Sequence, residues 1–206
     1  MILLIGAVSI ALAGEMTGLE KQAEKEIEPV EDLMRLGIDY HHKGVEGNKE
    51  AVKKAEKIFK DVLALNPDHV EALAWYGSIL TMKGRDAIFP ISKLMHVHRG
   101  TKKMDEAIEK SPDNVTVRMV RVGNSLGLPE FFGRLDLAIS DSEYLLKLKE
   151  RDATSVPDEL LPQIYLNLGL AHKKKQNKEQ AEKYLKKVIE IAPESKEAEV
   201  AKKLLL

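Results

Sequence analysis

Apolar positions along the chain recur with the period of a helix rather than that of a strand. Four stretches place a glycine inside an apolar stripe: Gly37, Gly77, Gly123 and Gly169, spaced by 40, 46 and 46 residues. Leu36, Tyr76, Val122 and Leu168 directly precede them, and Leu33, Leu73, Met119 and Tyr165 stand four residues earlier. Tyr40, Leu80 and Leu126 follow three residues later, with His172 in that place in the fourth stretch. Offsets of −4, −1 and +3 share one helical face. The bare glycine on that face predicts that a neighbouring helix comes close there.

A second amphipathic stretch follows each of the first. One runs from Ala55 through Phe59 and Val62 to Leu65 and stops at Asn66-Pro67-Asp68, and another holds Met104, Ala107 and Ile108 and stops at Ser111-Pro112-Asp113. The segment Glu130 to Lys149, with Leu135, Ala138, Leu145 and Leu148, predicts the third, and Gln180, Ala181, Leu185, Val188 and Ile191 before Pro193 predict the fourth. Proline cannot continue a helix, and the acidic residue after it favours the start of the next. Ser195 to Leu206 predicts a capping helix. One helix pair cannot cover its own apolar face, so successive pairs must stack.

These positions resemble the tetratricopeptide repeat family. Tyr165, Leu168, Gly169, Ala181, Leu185, Val188 and Pro193 fall at its motif positions in a unit without insertion. The first unit matches at Leu33, Leu36, Gly37, Tyr40, Ala55, Phe59 and Pro67, with extra residues around Lys43 to Lys49. The second matches at Leu73, Tyr76, Gly77, Gly100, Ala107 and Pro112, and the third at Met119, Val122, Gly123, Leu126 and Ala138. The resemblance implies an all-α, right-handed superhelical solenoid of about four helix pairs and a C-terminal capping helix, whose first helices line a concave side.

It further implies a groove for a protein or peptide partner. Its lining would be Met34, Arg35, Ile38 and His41, then Ala74, Ser78 and Thr81, then Val120, Arg121 and Asn124, and last Leu166, Asn167, Leu170 and Lys173. Some members hold the carboxylate of a chaperone tail with Lys, Arg and Asn; Arg121 and Asn124 only partly echo that clamp, so this mode is not expected. The mixed aliphatic and polar lining suits an extended or helical peptide with apolar anchors. Packing between neighbouring helices is the plainer account of Met34, Ile38, Leu166 and Leu170.

Two apolar stretches fall outside the repeat pattern. Arg85 to His98, with Phe89, Pro90, Ile91, Leu94 and Met95, reads as an insertion forming a short extra helix after Pro90. Whether it is a lid, a dimer contact or core filling stays open at this level. In Leu128 to Gly133, Pro129 suits a helix start, with one of Phe131 and Phe132 in the core and the other exposed.

Residues Met1 to Gly14 are uncharged and mostly apolar, too short for the roughly 20 residues that span a bilayer. Ala11-Leu12-Ala13 has the small-x-small form that a signal peptidase reads, although no Lys or Arg precedes the stretch. The organisation expected is a signal peptide or apolar segment over 1–13, a linker over 14–28 and the repeat domain over 29–206. Export to the periplasm or beyond follows if the segment is cleaved; if it is not, a cytoplasmic or N-terminally anchored protein, or a docked apolar helix, is the alternative.

The 206 residues carry 32 basic and 33 acidic side chains, a net charge of −1. Neither nucleic acid nor an anionic membrane surface is favoured by such an average. No membrane insertion of the repeat domain is expected. Cysteine is absent, which removes disulfides, thiolate nucleophiles and thiolate metal sites. The pairs His41-His42 and His96-x-His98 point apart on a helix and suggest no third ligand, so neither a metal nor another cofactor is expected. Gly123-Asn124-Ser125-Leu126-Gly127 lacks the spacing and the lysine of a phosphate loop. Arg99, Lys102, Lys103, Arg118 and Arg121 form the one basic cluster, which either faces an acidic partner or is solvated and paired with Asp105 and Glu106. The chain is therefore expected to be no enzyme but an interaction scaffold. A carrier enclosing a small apolar ligand is the alternative, and an accessory domain parted from its enzyme a weaker third. The apolar Leu204 to Leu206 leaves a homodimer open.

Overall fold

A computed structural model describes residues 30–206. The expected signal segment over 1–13 and linker over 14–28 lie outside them. The chain divides into two compact units, one ending at His69 and the other running from Val70 to Leu206. Among the described residues the regular elements are nine α-helices and two 3₁₀ turns, with no strand.

The first unit contributes α1 (30–45) and α2 (Lys49–Leu65). Asn48 caps α2 by accepting from the Ala51 amide at 3.0 Å. Ala51, Val52, Ala55, Ile58, Phe59 and Val62 bury one face of α2. Gly37 of α1 lies under the Phe59 ring, where a Cβ would stand 2.8 Å from the ring edge. The close approach expected from the sequence is present here.

The second unit holds α3 (Val70–Asp86), α4 (Pro90–Lys110), α5 (Val115–Gly127), α6 (Leu135–Arg151), α7 (Leu161–Lys174), α8 (Lys178–Ile191) and α9 (Lys196–Leu205). Each helix packs on its neighbour in the chain, and α3 also packs on α5, α5 on α7 and α7 on α9. No comparable contact joins α4 to α6 or α6 to α8. First helices thus form a continuous row, while second helices flank it and stand apart. That is the packing order of a helical-repeat stack, not of a bundle with one centre.

Burial follows the same order. In α3 ten positions, from Ala72 to Gly84, are buried on every side, as expected of a helix enclosed by neighbours. In α8 only the stripe Ala181, Leu185 and Val188 is buried. Gly77 and Gly100 bring α3 and α4 together: a Cβ at Gly77 would sit 2.6 Å from the Gly100 carbonyl oxygen and 2.9 Å from Met104 Cγ. Gly169 does the same under Leu185, at 2.7 Å. Val156 in the connection before α7 is fully buried with Leu145, Leu148 and Ile164.

Four features differ from the sequence expectations. Around Gly123 a Cβ would meet nothing within 4 Å, because α6 lies against Val122, through Ala138, rather than against the glycine. The third second helix starts at Leu135, not Glu130. Before it, Pro129 opens a 3₁₀ turn over Glu130–Phe132 that ends at Gly133 with φ 66, leaving Phe131 exposed and Phe132 half-buried. Arg85 to His98 contains no separate short helix: from Pro90, at its first turn, α4 runs unbroken to Lys110. Side-chain caps come from Asn114, Asn177 and Ser195, not from the acidic residue after each proline. The last helix packs Ala198, Ala201 and Leu204 on Leu166, Leu185 and Val188.

Candidate functional site

Most of the positions proposed to line a groove are buried, and in the second unit Ser78, Thr81 and Asn124 lie where α3 meets α5. In the first unit Met34 and His41 are buried, Ile38 is half-buried, and exposed Arg35 pairs with Asp32. Burial, then the neighbouring His42 charge, pushes the His41 imidazole down to about 4. In the second unit Ala74, Ser78 and Thr81 of α3 are buried. The Thr81 hydroxyl donates to the Ser78 carbonyl at 2.8 Å and accepts from Asn124 Nδ2 of α5 at 2.5 Å. That short chain fastens two first helices through polar groups which burial would otherwise penalise.

Val120 is buried, and Leu166 lies within the cluster under α9 with Leu170 at its edge. Asn167 is buried and accepts from Gln163 Nε2 at 2.8 Å. Lys173 is exposed, its ammonium donating to the Leu204 carbonyl at 2.6 Å. Accessible surface along the row is therefore left by Asn124, Leu170 and Lys173, and in the first unit by Arg35 and Ile38.

Arg121 belongs to a charge network that sequence reading did not resolve. Asp141 of α6, 1% exposed, accepts from Arg118 Nη1 at 2.5 Å and from Arg121 Nε at 2.7 Å and Nη2 at 2.8 Å. Arg121 Nη1 also reaches Asp105 of α4 at 3.0 Å, and Arg134 clamps the same carboxylate at 2.7 and 2.8 Å. Arg118 further donates to the Pro112 carbonyl and stacks over Tyr144, its guanidinium 3.6 Å from the ring centre. Burial would lower the pKa of Arg121, but the bonds and charges of Asp141 and Asp105 outweigh it and hold the value raised. Burial would raise the pKa of Asp105, but Arg134 and Arg121 keep it lowered. Two of the five residues of the expected basic cluster, Arg118 and Arg121, are thus internal to the fold. The signal for Asp141 was present: it stands three residues after Ala138 and four before Leu145, on the core face of α6.

The remaining basic residues lie beside the apolar stretch after α3. Ile88, Phe89, Ile91, Leu94 and Met95 are exposed, while burial on α4 resumes at Val97. Further along α4, His98, Lys102, Asp105 and Glu109 line a groove closed by Arg134. Among the described residues no group of three His, Asp or Glu side chains is placed to hold a metal ion, and no helix is long and apolar enough to cross a membrane.

Residues 162–195 match the model of the tetratricopeptide repeat. The matched stretch covers α7 from its first turn, α8, and the Ser195 cap of α9. No curated protein matches the chain. A repeat of this kind suggests a protein–protein interaction scaffold, and proteins built from it are generally non-enzymatic.

Proposed function

We propose that the chain is a non-enzymatic scaffold that holds a peptide or a helix of another protein along the row of first helices. The observation that carries this reading is the unbroken α3–α5–α7–α9 row, with a tetratricopeptide match over its C-terminal part. Stacking of this kind leaves one long face to which several repeats can contribute at once. Along it Lys173 offers a cation and Leu170 an apolar edge, while Asn124, bonded to Thr81, holds α5 against α3. That mixture suits a peptide with one or two apolar anchors and acceptor groups between them. In the second unit Ala74, Ser78, Thr81, Val120, Leu166 and Asn167 of the same helices are buried.

A random-peptide display library panned on the full chain tests the proposal. Selected peptides should lose about tenfold in affinity on Lys173→Glu and on Leu170→Ala, with Asn124→Ala adding a smaller loss. Circular dichroism checks that each variant keeps its helix content. Selection of no peptide, or of peptides indifferent to all three substitutions, overturns the groove.

A further inference from the structure

The hairpin formed by α3 and α4 ends in a tip that the packing of the described residues leaves exposed. Burial on α3 stops at Gly84 and on α4 begins at Val97. Between them Ile88 is 85% exposed, Phe89 70%, Ile91 71%, Leu94 51% and Met95 57%. Five large apolar side chains within eight residues exceed the scattered exposure of an ordinary surface. Along α4 the exposed face continues through His98 and Lys102, which follow Ile91 and Met95 at helical spacing.

Charge around the tip is one-sided. From Arg85 to Lys103 the sequence has Arg85, Lys93, Arg99, Lys102 and Lys103 against Asp86 alone, and the acidic Asp105, Glu106 and Glu109 come only further along α4, beside Lys102. Arg85 is paired with Asp86 and Lys103 with Glu106, whereas Lys93, Arg99 and Lys102 are exposed. A net charge of −1 for the chain hides this local excess.

We infer that the tip docks on the surface of an anionic phospholipid bilayer, with Ile88, Phe89 and Ile91 entering the interface and Lys93, Arg99 and Lys102 facing the headgroups. Apolar residues rimmed by Lys and Arg are the composition that binds such an interface. Ala87 to Ile91 carries no polar side chain, so its entry into hydrocarbon strands no polar side-chain group. A second copy meeting this patch about a two-fold axis would set its cations against like charges.

Flotation of the full chain with vesicles of phosphatidylcholine, alone or mixed with phosphatidylglycerol, decides the matter. Binding should favour the mixed vesicles by at least about tenfold, since each basic residue near the surface contributes roughly fivefold. Phe89→Glu/Ile91→Glu and Lys93→Glu/Lys102→Glu, all at exposed positions, should each abolish flotation while circular dichroism stays unchanged. Absence of flotation with mixed vesicles overturns the inference. So does undiminished flotation of both variants, which would place the contact elsewhere in the chain. A dimer in analytical ultracentrifugation that the tip variants dissolve, without vesicle binding, overturns it in favour of self-association.

Discussion

Gly77 and Gly123 occupy equivalent places in their repeats and face opposite surroundings. An alanine methyl at Gly77 would press on the Gly100 carbonyl oxygen, at 2.6 Å, and on Met104; backbone cannot step aside as a side-chain tip can. Gly77→Ala is expected to cost about 1–3 kcal/mol despite the better helix propensity of alanine. At Gly123 the space is open, so Gly123→Ala should stabilise by about 0.5–1 kcal/mol. Urea unfolding of the two variants checks both signs. His41 makes a third prediction at this scale. Its buried ring gives up its proton down to about pH 4, against 6.5 for an ordinary imidazole. The unfolded chain therefore binds more protons between those values, and stability falls as pH drops through the window, by about 3 kcal/mol below both. Above the upper value both states are neutral and the effect vanishes. His41→Gln removes the group, so the stability gap between wild type and variant should be flat near neutral pH and shift against wild type on acidification. Parallel pH curves for the two proteins would rule out a buried neutral His41.

Among elements, α5 and α6 show how far the sequence pattern reaches. The pairing of first and second helices was legible, because a glycine within an apolar stripe recurs in each first helix and a proline follows three of the four second helices. The rotation of α5 was not. Asp141 sits between Arg118 and Arg121, and so draws the Arg121–Val122 side of α5 toward α6. The glycine one residue further on is turned away by about 100°. A charge at a core position reads in sequence as a break in the stripe, and only its partners on another helix make it structural. Asp141→Ala should cost about 3–5 kcal/mol, since it strands two buried guanidinium groups. Lys53→Ala, which breaks the exposed pair with Glu50, should change stability by no more than a few tenths. Equal effects in chemical denaturation would show that the network is not internal. The length of α4 was hidden for another reason: Arg85 to His98 reads as an insertion with a short helix of its own, yet from Pro90 it continues in one helix through Gly100, which faces Gly77, to Lys110. The groove positions were legible as a face, but sequence spacing does not tell an open face from one covered by the next repeat.

For the second unit as a whole, the order of contacts sets how stability is shared. Helices three or more apart in the row make no comparable contact, so cohesion passes from neighbour to neighbour, as in a linear array. The end of such an array is its weakest part unless something covers the last apolar face. In this chain α9 does so, through Ala198 and Ala201 against Leu166, Leu185 and Val188. Removing Ser195 to Leu206 uncovers that cluster and should cost the last pair about 2–4 kcal/mol. The loss should stay local. Native-state hydrogen exchange is expected to show amides of α7 and α8 opening by lower-energy fluctuations after the truncation, while those of α3 and α4 keep their protection. A single closed core would respond otherwise, every helix losing protection together. A uniform fall across the unit would therefore contradict the stack itself, and with it the long face on which a partner is proposed to lie.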